Sequence, residues 1–220
     1  MSVTRAPLIP GLGRLALDSP ITHAWDDDDP LAGIGVPDAQ TEALLGAVSD
    51  WGKLVYVLGC ADWVLARFGR FIDADWPWLF RDACWAFEFD PAYMLPREIE
   101  DHPQEGPVDG PVCLVLTTVL NTRYGFDEGN AQIDAAVAEQ IVLHVLPNSE
   151  PFTRWRDTVL GRLVKVSAGI GTPTGERLSM AVLDDDTRQV SPSLRPSPEE
   201  LRRLALDGNP YARRLADFRR

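Results

Sequence analysis

The sequence predicts a mainly α protein: an irregular bundle of about 6–8 helices with a long Pro/Gly-rich N-terminal arm and at most a minor β element. Two observations predict this class. Apolar residues recur at three- and four-residue steps in several segments, which is the spacing of one helix face. Prolines and glycines cluster between those segments and interrupt regular structure. A chain of 220 residues, 45% of them hydrophobic, is long enough to bury a core without disulfide bonds.

Composition divides the chain into three parts. Residues 1–37 are rich in Pro, Gly and Asp and are predicted to form an irregular N-terminal arm. Residues 38–190 contain the helical patterns and are predicted to form the core domain. Residues 191–220 combine a Pro-rich linker with an Arg-rich segment. That last segment is predicted to form a basic helix that packs on the acidic core.

The first half of the core domain shows two helical segments. Asp38 is suited to cap a helix over residues 39–71, in which leucines, valines and a tryptophan recur at helical spacing. Three glycines weaken this pattern, so either two helices or one bent helix is expected. Residues 74–88 predict a further helix, with Asp75 as its cap and several aromatic side chains in the core.

The middle of the chain contains one ambiguous segment. Residues 90–111 include five prolines and are predicted to form an acidic loop. Residues 112–120 are apolar and β-branched, and periodicity does not separate a strand from a buried helix there, although the flanking helical patterns favour a helix. Residues 130–146 and 150–166 predict two more helices, the second with the clearest amphipathic pattern.

The last third is predicted to contain the one minor strand and a terminal helix. Residues 178–183, LSMAVL, are compatible with a strand. Ser197 and Glu200 have the spacing of a capping box, with Pro198 at the first helical position, and therefore predict the start of a helix.

The formal net charge of −12 restricts the partners of the chain. Such a charge repels nucleic acid and anionic membrane surfaces and attracts basic proteins. No run of about 18 apolar residues predicts a membrane span, and the N-terminus has no apolar stretch typical of a signal peptide. A soluble cytoplasmic protein is therefore expected. Arg outnumbers Lys nineteen to two, which indicates the coding bias of a GC-rich bacterial genome.

Three cysteines, Cys60, Cys84 and Cys113, lie among apolar residues and are expected to be buried free thiols. Their odd number and the lack of a CxxC pair argue against a disulfide framework or a zinc site. Asp26–Asp29 lack the alternate spacing and the turn glycine of a calcium loop, which favours a solvated charge run. No metal or cofactor site is predicted.

The candidate partner-binding residues lie in the arm and in the acidic loop. Tryptophan is enriched at interface hot spots, and carboxylates beside it suit a partner that presents Lys and Arg. Packing of the arm against the body is the alternative role for the tryptophan. The predicted site consists of Trp25, Asp26, Asp27, Asp28, Asp29, Glu98, Glu100, Asp101 and Glu105.

Two functions are compatible with these patterns. The first is an acidic interaction protein, similar in general character to immunity proteins and antitoxins, that binds and neutralises a basic bacterial effector or toxin. The alternative is a helical enzyme with dispersed catalytic residues, with or without a metal, for which His102, Asp101 and Glu98 are the candidates. The sequence contains none of the local signatures of hydrolases or metalloproteases, so no catalytic residue is assigned.

Overall fold

The computed structural model describes residues 7–9, 12, 19–97, 99, 102–170, 174–184 and 194–218. Within these ranges the chain is mainly helical, with two short 3-10 helices at Met180–Leu183 and Leu215–Phe218. The α-helices are α1 Ala39–Gly46, α2 Asp50–Phe68, α3 Trp76–Phe89, α4 Gly106–Glu128, α5 Ala131–Val145, α6 Glu150–Ile170 and α7 Pro198–Arg202. The predicted helical class is confirmed.

Helix α2 lies at the centre of the bundle. It contacts α3, α4, α5, α6 and the first 3-10 helix, because nearly all of its residues are buried and most of them are apolar. The Tyr56 ring stacks on Trp155 of α6, with ring centroids 5.8 Å apart. A Cβ at Gly59 would lie 2.8 Å from the Trp155 ring, so the absence of a side chain allows α6 to approach α2.

A single buried carboxylate ties four helices together. Glu139 of α5 accepts hydrogen bonds from the Tyr56 hydroxyl of α2 (2.6 Å) and from Thr41 of α1 (3.3 Å). It also forms an ion pair with Arg156 of α6 at 3.1 Å. Burial raises the pKa of Tyr56, so its hydroxyl keeps its proton and donates to the carboxylate. Satisfying a buried charge from three sides compensates for the loss of its hydration.

The chain after α7 lies against α3 and the segment that follows α3. Asp82 of α3 accepts a hydrogen bond from the amide of Ala205 at 2.8 Å. The amide of Leu215 donates to the carbonyl of Ala92 at 2.9 Å, and Tyr93 forms an isolated antiparallel bridge with Arg214. Within the described ranges this bridge is the one β feature.

Helix boundaries confirm some sequence predictions and correct others. Residues 39–68 form two helices, because Ser49 caps α2 and breaks the segment after α1. Residues 112–120 are helical and lie within α4. The predicted strand at residues 178–183 is wrong: Ser179 caps a 3-10 turn there through the amide of Ala181.

The predicted acidic loop is wrong for residues 106–111, which form the first turns of α4. Pro107 occupies one of the first two positions of the helix, where its missing N–H needs no partner. Pro111 lies further inside the helix and has no N–H to donate to the carbonyl of Pro107. This missing hydrogen bond is the reason why the prolines predicted a loop here. That carbonyl accepts a hydrogen bond from His23 instead.

Candidate interaction site

An open groove of about 740 Å³ lies between the N-terminal segment and the start of α4. The segment involved, residues 19–29, is called the strap below. The groove is lined by Ala24, Trp25, Asp26, Asp27, Asp28, Gly33 and Glu105. Five of the predicted partner-binding residues therefore meet at one surface: the indole Trp25 and four carboxylates from two distant parts of the chain.

Local hydrogen bonds fix the backbone of the acidic run. The Asp26 carboxylate accepts hydrogen bonds from the amides of Asp28 (3.0 Å) and Asp29 (3.4 Å), which folds the strap into a turn. Asp27 accepts from the amide of Gly106 at 2.7 Å, at the N-terminus of α4. A carboxylate at this position interacts favourably with the unpaired amides of the first helical turn.

The remaining two groove carboxylates are open to solvent. Among the described contacts, the side chains of Asp28 and Glu105 form neither hydrogen bonds nor ion pairs, and both are exposed. Glu105 occupies the N-cap position of α4 without a side-chain capping bond. These two charges are free to bind a partner without breaking a contact of the fold.

Trp25 is half-buried and packs on a glycine of α4. A Cβ at Gly110 would lie 2.2 Å from the indole Nε1 and 2.4 Å from Cε2, so the indole occupies the place of a side chain on the helix. The indole Nε1 is buried and has no hydrogen-bond partner within the described part of the chain. Trp25 thus serves both as a packing residue of the strap and as one wall of the groove.

Two histidines join the strap to the core. His23 Nε2 lies 2.9 Å from the carbonyl of Pro107, the acceptor that Pro111 leaves open. His144 Nε2 of α5 lies 2.7 Å from the carbonyl of Ala24. Since a carbonyl only accepts, both rings carry their proton on Nε2. The two ring centroids are 5.3 Å apart in an edge-on arrangement.

Arg67 of α2 anchors the beginning of the strap. Its guanidinium donates to the carbonyls of Ser19 (2.8 Å) and Pro20 (3.0 Å) and, on the other side, to the carbonyl of Val145 (3.1 Å). The side chain is almost fully buried. A buried guanidinium that binds three carbonyls positions the strap backbone against both α2 and α5.

The electrostatic environment favours the neutral form of His23. Burial lowers its pKa, and the neighbouring His144 and Arg67 lower it further, while the hydrogen bond to Pro107 acts in the opposite direction. Asp109, in the first turn of α4, has a raised pKa because it is partly buried. His23 therefore holds the strap as an uncharged imidazole, next to the charged guanidinium of Arg67.

Some of the predicted site residues line the groove and others do not. Trp25, Asp26, Asp27, Asp28 and Glu105 line the groove, whereas Asp29 is exposed but is not part of the lining. The predicted residues Glu98, Glu100 and Asp101 lie outside the described residues.

Sequence analysis missed the residues that attach the strap to α4 and α5. His23, Gly110 and His144 carry no local signal, because their partners are up to 120 residues away in the chain.

His102, the histidine considered for catalysis, lies away from this groove in an aromatic cluster. Its ring stacks on Trp76 with centroids 4.2 Å apart and an interplanar angle of 1°. Its Nε2 lies 2.5 Å from the hydroxyl of Tyr211. These contacts link the segment before α4 to α3 and to the chain after α7, and they give His102 a packing role in the described structure.

Other properties bear on the class of site. In the described ranges no cluster of three or more His, Cys, Asp or Glu side chains is arranged to hold a metal ion. The described helices include none that is long and apolar enough to cross a membrane. All three cysteines are buried free thiols, as predicted. The fold and the groove together define a helical protein with an acidic, tryptophan-walled surface. No protein-family model, curated protein or solved structure matches the chain.

Proposed function

We propose that the chain is an acidic cytoplasmic protein that binds and neutralises a basic protein. In type it is similar to immunity proteins and antitoxins. The observation that carries this proposal is the meeting of Trp25 with the carboxylates of residues 26–28 and Glu105 at one open groove. The partner is expected to insert Lys or Arg side chains between these carboxylates, with their aliphatic stems or guanidinium planes against the indole.

Charge and aromatic contact have separate roles in this proposal. An exposed charge pair at contact distance contributes only about 1 kcal/mol in water, so the carboxylates act mainly on the rate of encounter. The net charge of −12 attracts a basic partner over a distance set by a Debye length of about 8 Å at physiological salt. Trp25 is expected to slow dissociation, because buried aromatic anchors supply most of the energy at hot spots.

The structure allows a test with matched charge changes. Asp28→Lys with Glu105→Lys reverses two groove charges that make no described contact. Glu42→Lys with Asp207→Lys reverses two exposed acids that do not line the groove and changes the net charge by the same amount. Both double variants should fold, since no described hydrogen bond is removed.

The assay is affinity capture from a bacterial lysate with the three proteins in parallel, followed by measurement of the captured protein's activity. Wild type and the control variant should retain the same basic protein and inhibit it, whereas the groove variant should lose most of it. Equal retention by the groove variant, or capture of no basic protein by wild type, would show that the groove does not have this function.

A further inference from the structure

We propose that the strap is an acid-sensitive latch: protonation of His23 detaches residues 19–29 from α4 and dismantles the acidic groove. The consequence for binding, which rests on the proposed function, is that the partner is released on acidification. The latch itself is a property of the fold and stands on the contacts of two imidazoles and one guanidinium.

The first support is the hydrogen bonding of His23. Its Nε2 donates to the Pro107 carbonyl, which leaves Nδ1 as the nitrogen that would take up a proton. Nδ1 is buried and has no partner within the described residues. Protonation therefore creates a buried N–H without an acceptor, which is unfavourable as long as the strap is docked.

The second support is the set of groups that surround the His23 imidazole. His144 lies with its ring centroid 5.3 Å from that of His23, and Arg67 contributes an unfavourable charge interaction to His23. Arg67 is charged at all relevant pH values and is itself bound to the strap carbonyls of Ser19 and Pro20. A proton on His23 would thus place a second positive charge beside Arg67 at the base of one segment.

Among the described residues, the surrounding elements supply few opposing charges. Helix α2 presents Arg67, α5 presents His144, and the start of α4 presents the Pro107 carbonyl, with Asp109 as the acid of its first turn. The strap contributes Asp26 and Asp27, both of which accept backbone hydrogen bonds. Neither imidazole forms an ion pair with a carboxylate among the described residues. The cationic form of His23 is therefore poorly compensated.

The direction of the pH effect follows from linkage. Docking lowers the pKa of His23 below its ordinary value, so the detached strap binds protons more readily than the docked strap. The docking free energy contributed by His23 is fully present above about pH 6.5 and is lost as the pH falls below that value. Each unit by which docking lowers a histidine pKa corresponds to about a tenfold loss of the docking equilibrium.

The test measures hydrogen-exchange protection of the Gly106 amide, which donates to Asp27 of the strap, between pH 7.5 and pH 5.0, corrected for the intrinsic exchange rate. Protection of this amide should be lost progressively below about pH 6.5, while amides in the centre of α5 stay protected. His23→Gln keeps a donor for the Pro107 carbonyl without an imidazole to protonate, so the fall should be reduced. His102→Gln, which changes the histidine outside the strap, should behave like wild type.

Constant protection of the Gly106 amide across this pH range would overturn the latch, as would an unreduced fall in His23→Gln. Binding of an Arg-rich peptide to the same samples separates the two proposals. Strap release at pH 5.0 with no peptide binding at pH 7.5 supports the latch and contradicts the acidic-groove function. Peptide binding at pH 7.5 that persists at pH 5.0 with a docked strap supports the groove and contradicts the latch.

Discussion

Replacing Gly110 by alanine tests whether the strap is built on the surface of α4. The added Cβ would lie 2.2 Å from Nε1 and 2.4 Å from Cε2 of Trp25. Real Cβ atoms do not approach other atoms this closely, and the indole is a rigid ring, so Trp25 and the strap must move. We expect Gly110→Ala to displace the strap from α4 while the rest of the bundle stays folded.

Two opposing effects set the size of the change in stability. Alanine is preferred over glycine in a helix interior by about 1 kcal/mol. Overpacking a tight contact costs about 1–3 kcal/mol, and detachment of the strap limits that cost. Gly161 of α6 has open space around its Cβ position, so Gly161→Ala should gain the helix preference without a clash. Gly110→Ala should therefore be about 1–3 kcal/mol less stable than Gly161→Ala.

The assay is urea denaturation of the two alanine variants, combined with hydrogen exchange of the Gly106 amide, which donates to Asp27 of the strap. A third protein, Gly110→Ala in a Trp25→Ala background, makes the test specific. Without the indole, the new methyl group has room, and the sign of the effect should reverse to a gain of about 1 kcal/mol relative to Trp25→Ala alone. If Gly110→Ala stabilises the wild-type protein as much as it stabilises the Trp25→Ala protein, Trp25 does not pack on α4 as described.

Two further predictions concern buried ionic groups. Arg81→Leu should lower the free energy of unfolding by about 3–5 kcal/mol in urea denaturation. The reason is that the buried carboxylates of Asp62 and Asp82, 3.0 Å and 2.7 Å from the guanidinium, lose their ion-pair partner. A loss under about 1 kcal/mol would contradict this ion-pair account. Glu88 is buried with a raised pKa, so the folded state holds its proton and wild type should lose stability as the pH rises above about 4.5. Glu88→Gln, which keeps the acceptor for Leu178, should lose less stability between pH 5 and pH 8, and parallel pH profiles would argue against burial of this carboxyl.

The helices were predictable wherever a local pattern determined them. Periodic apolar residues predicted most of α2, α5 and α6, and the capping box at Ser197 is present with both of its hydrogen bonds. Local patterns failed at residues 106–111, because the cost of Pro111 in a helix is reduced by a tertiary contact. The carbonyl that this proline leaves without a donor is bound by His23, 84 residues away from it in the chain.

The candidate site was predictable in part, because local composition indicates only some of its residues. Acidic residues around Trp25 stand out by composition alone, and the sequence placed Glu105 in the same set. The sequence did not indicate that the strap reaches the N-terminus of α4, where Asp27 accepts from the amide of Gly106. Nor did it indicate that a glycine at position 110 makes room for the indole. Both depend on side chains meeting across the fold, which periodicity does not report.

The most direct test of the acidic groove is the association rate of the captured basic partner, measured by stopped flow at several salt concentrations. We expect association with wild type to slow steeply as salt increases. Asp28→Lys with Glu105→Lys should slow association by about tenfold at low salt, and Glu42→Lys with Asp207→Lys, with the same net charge, should slow it much less. Equal slowing by both pairs, or rates that do not depend on salt, would contradict an electrostatic role for this groove.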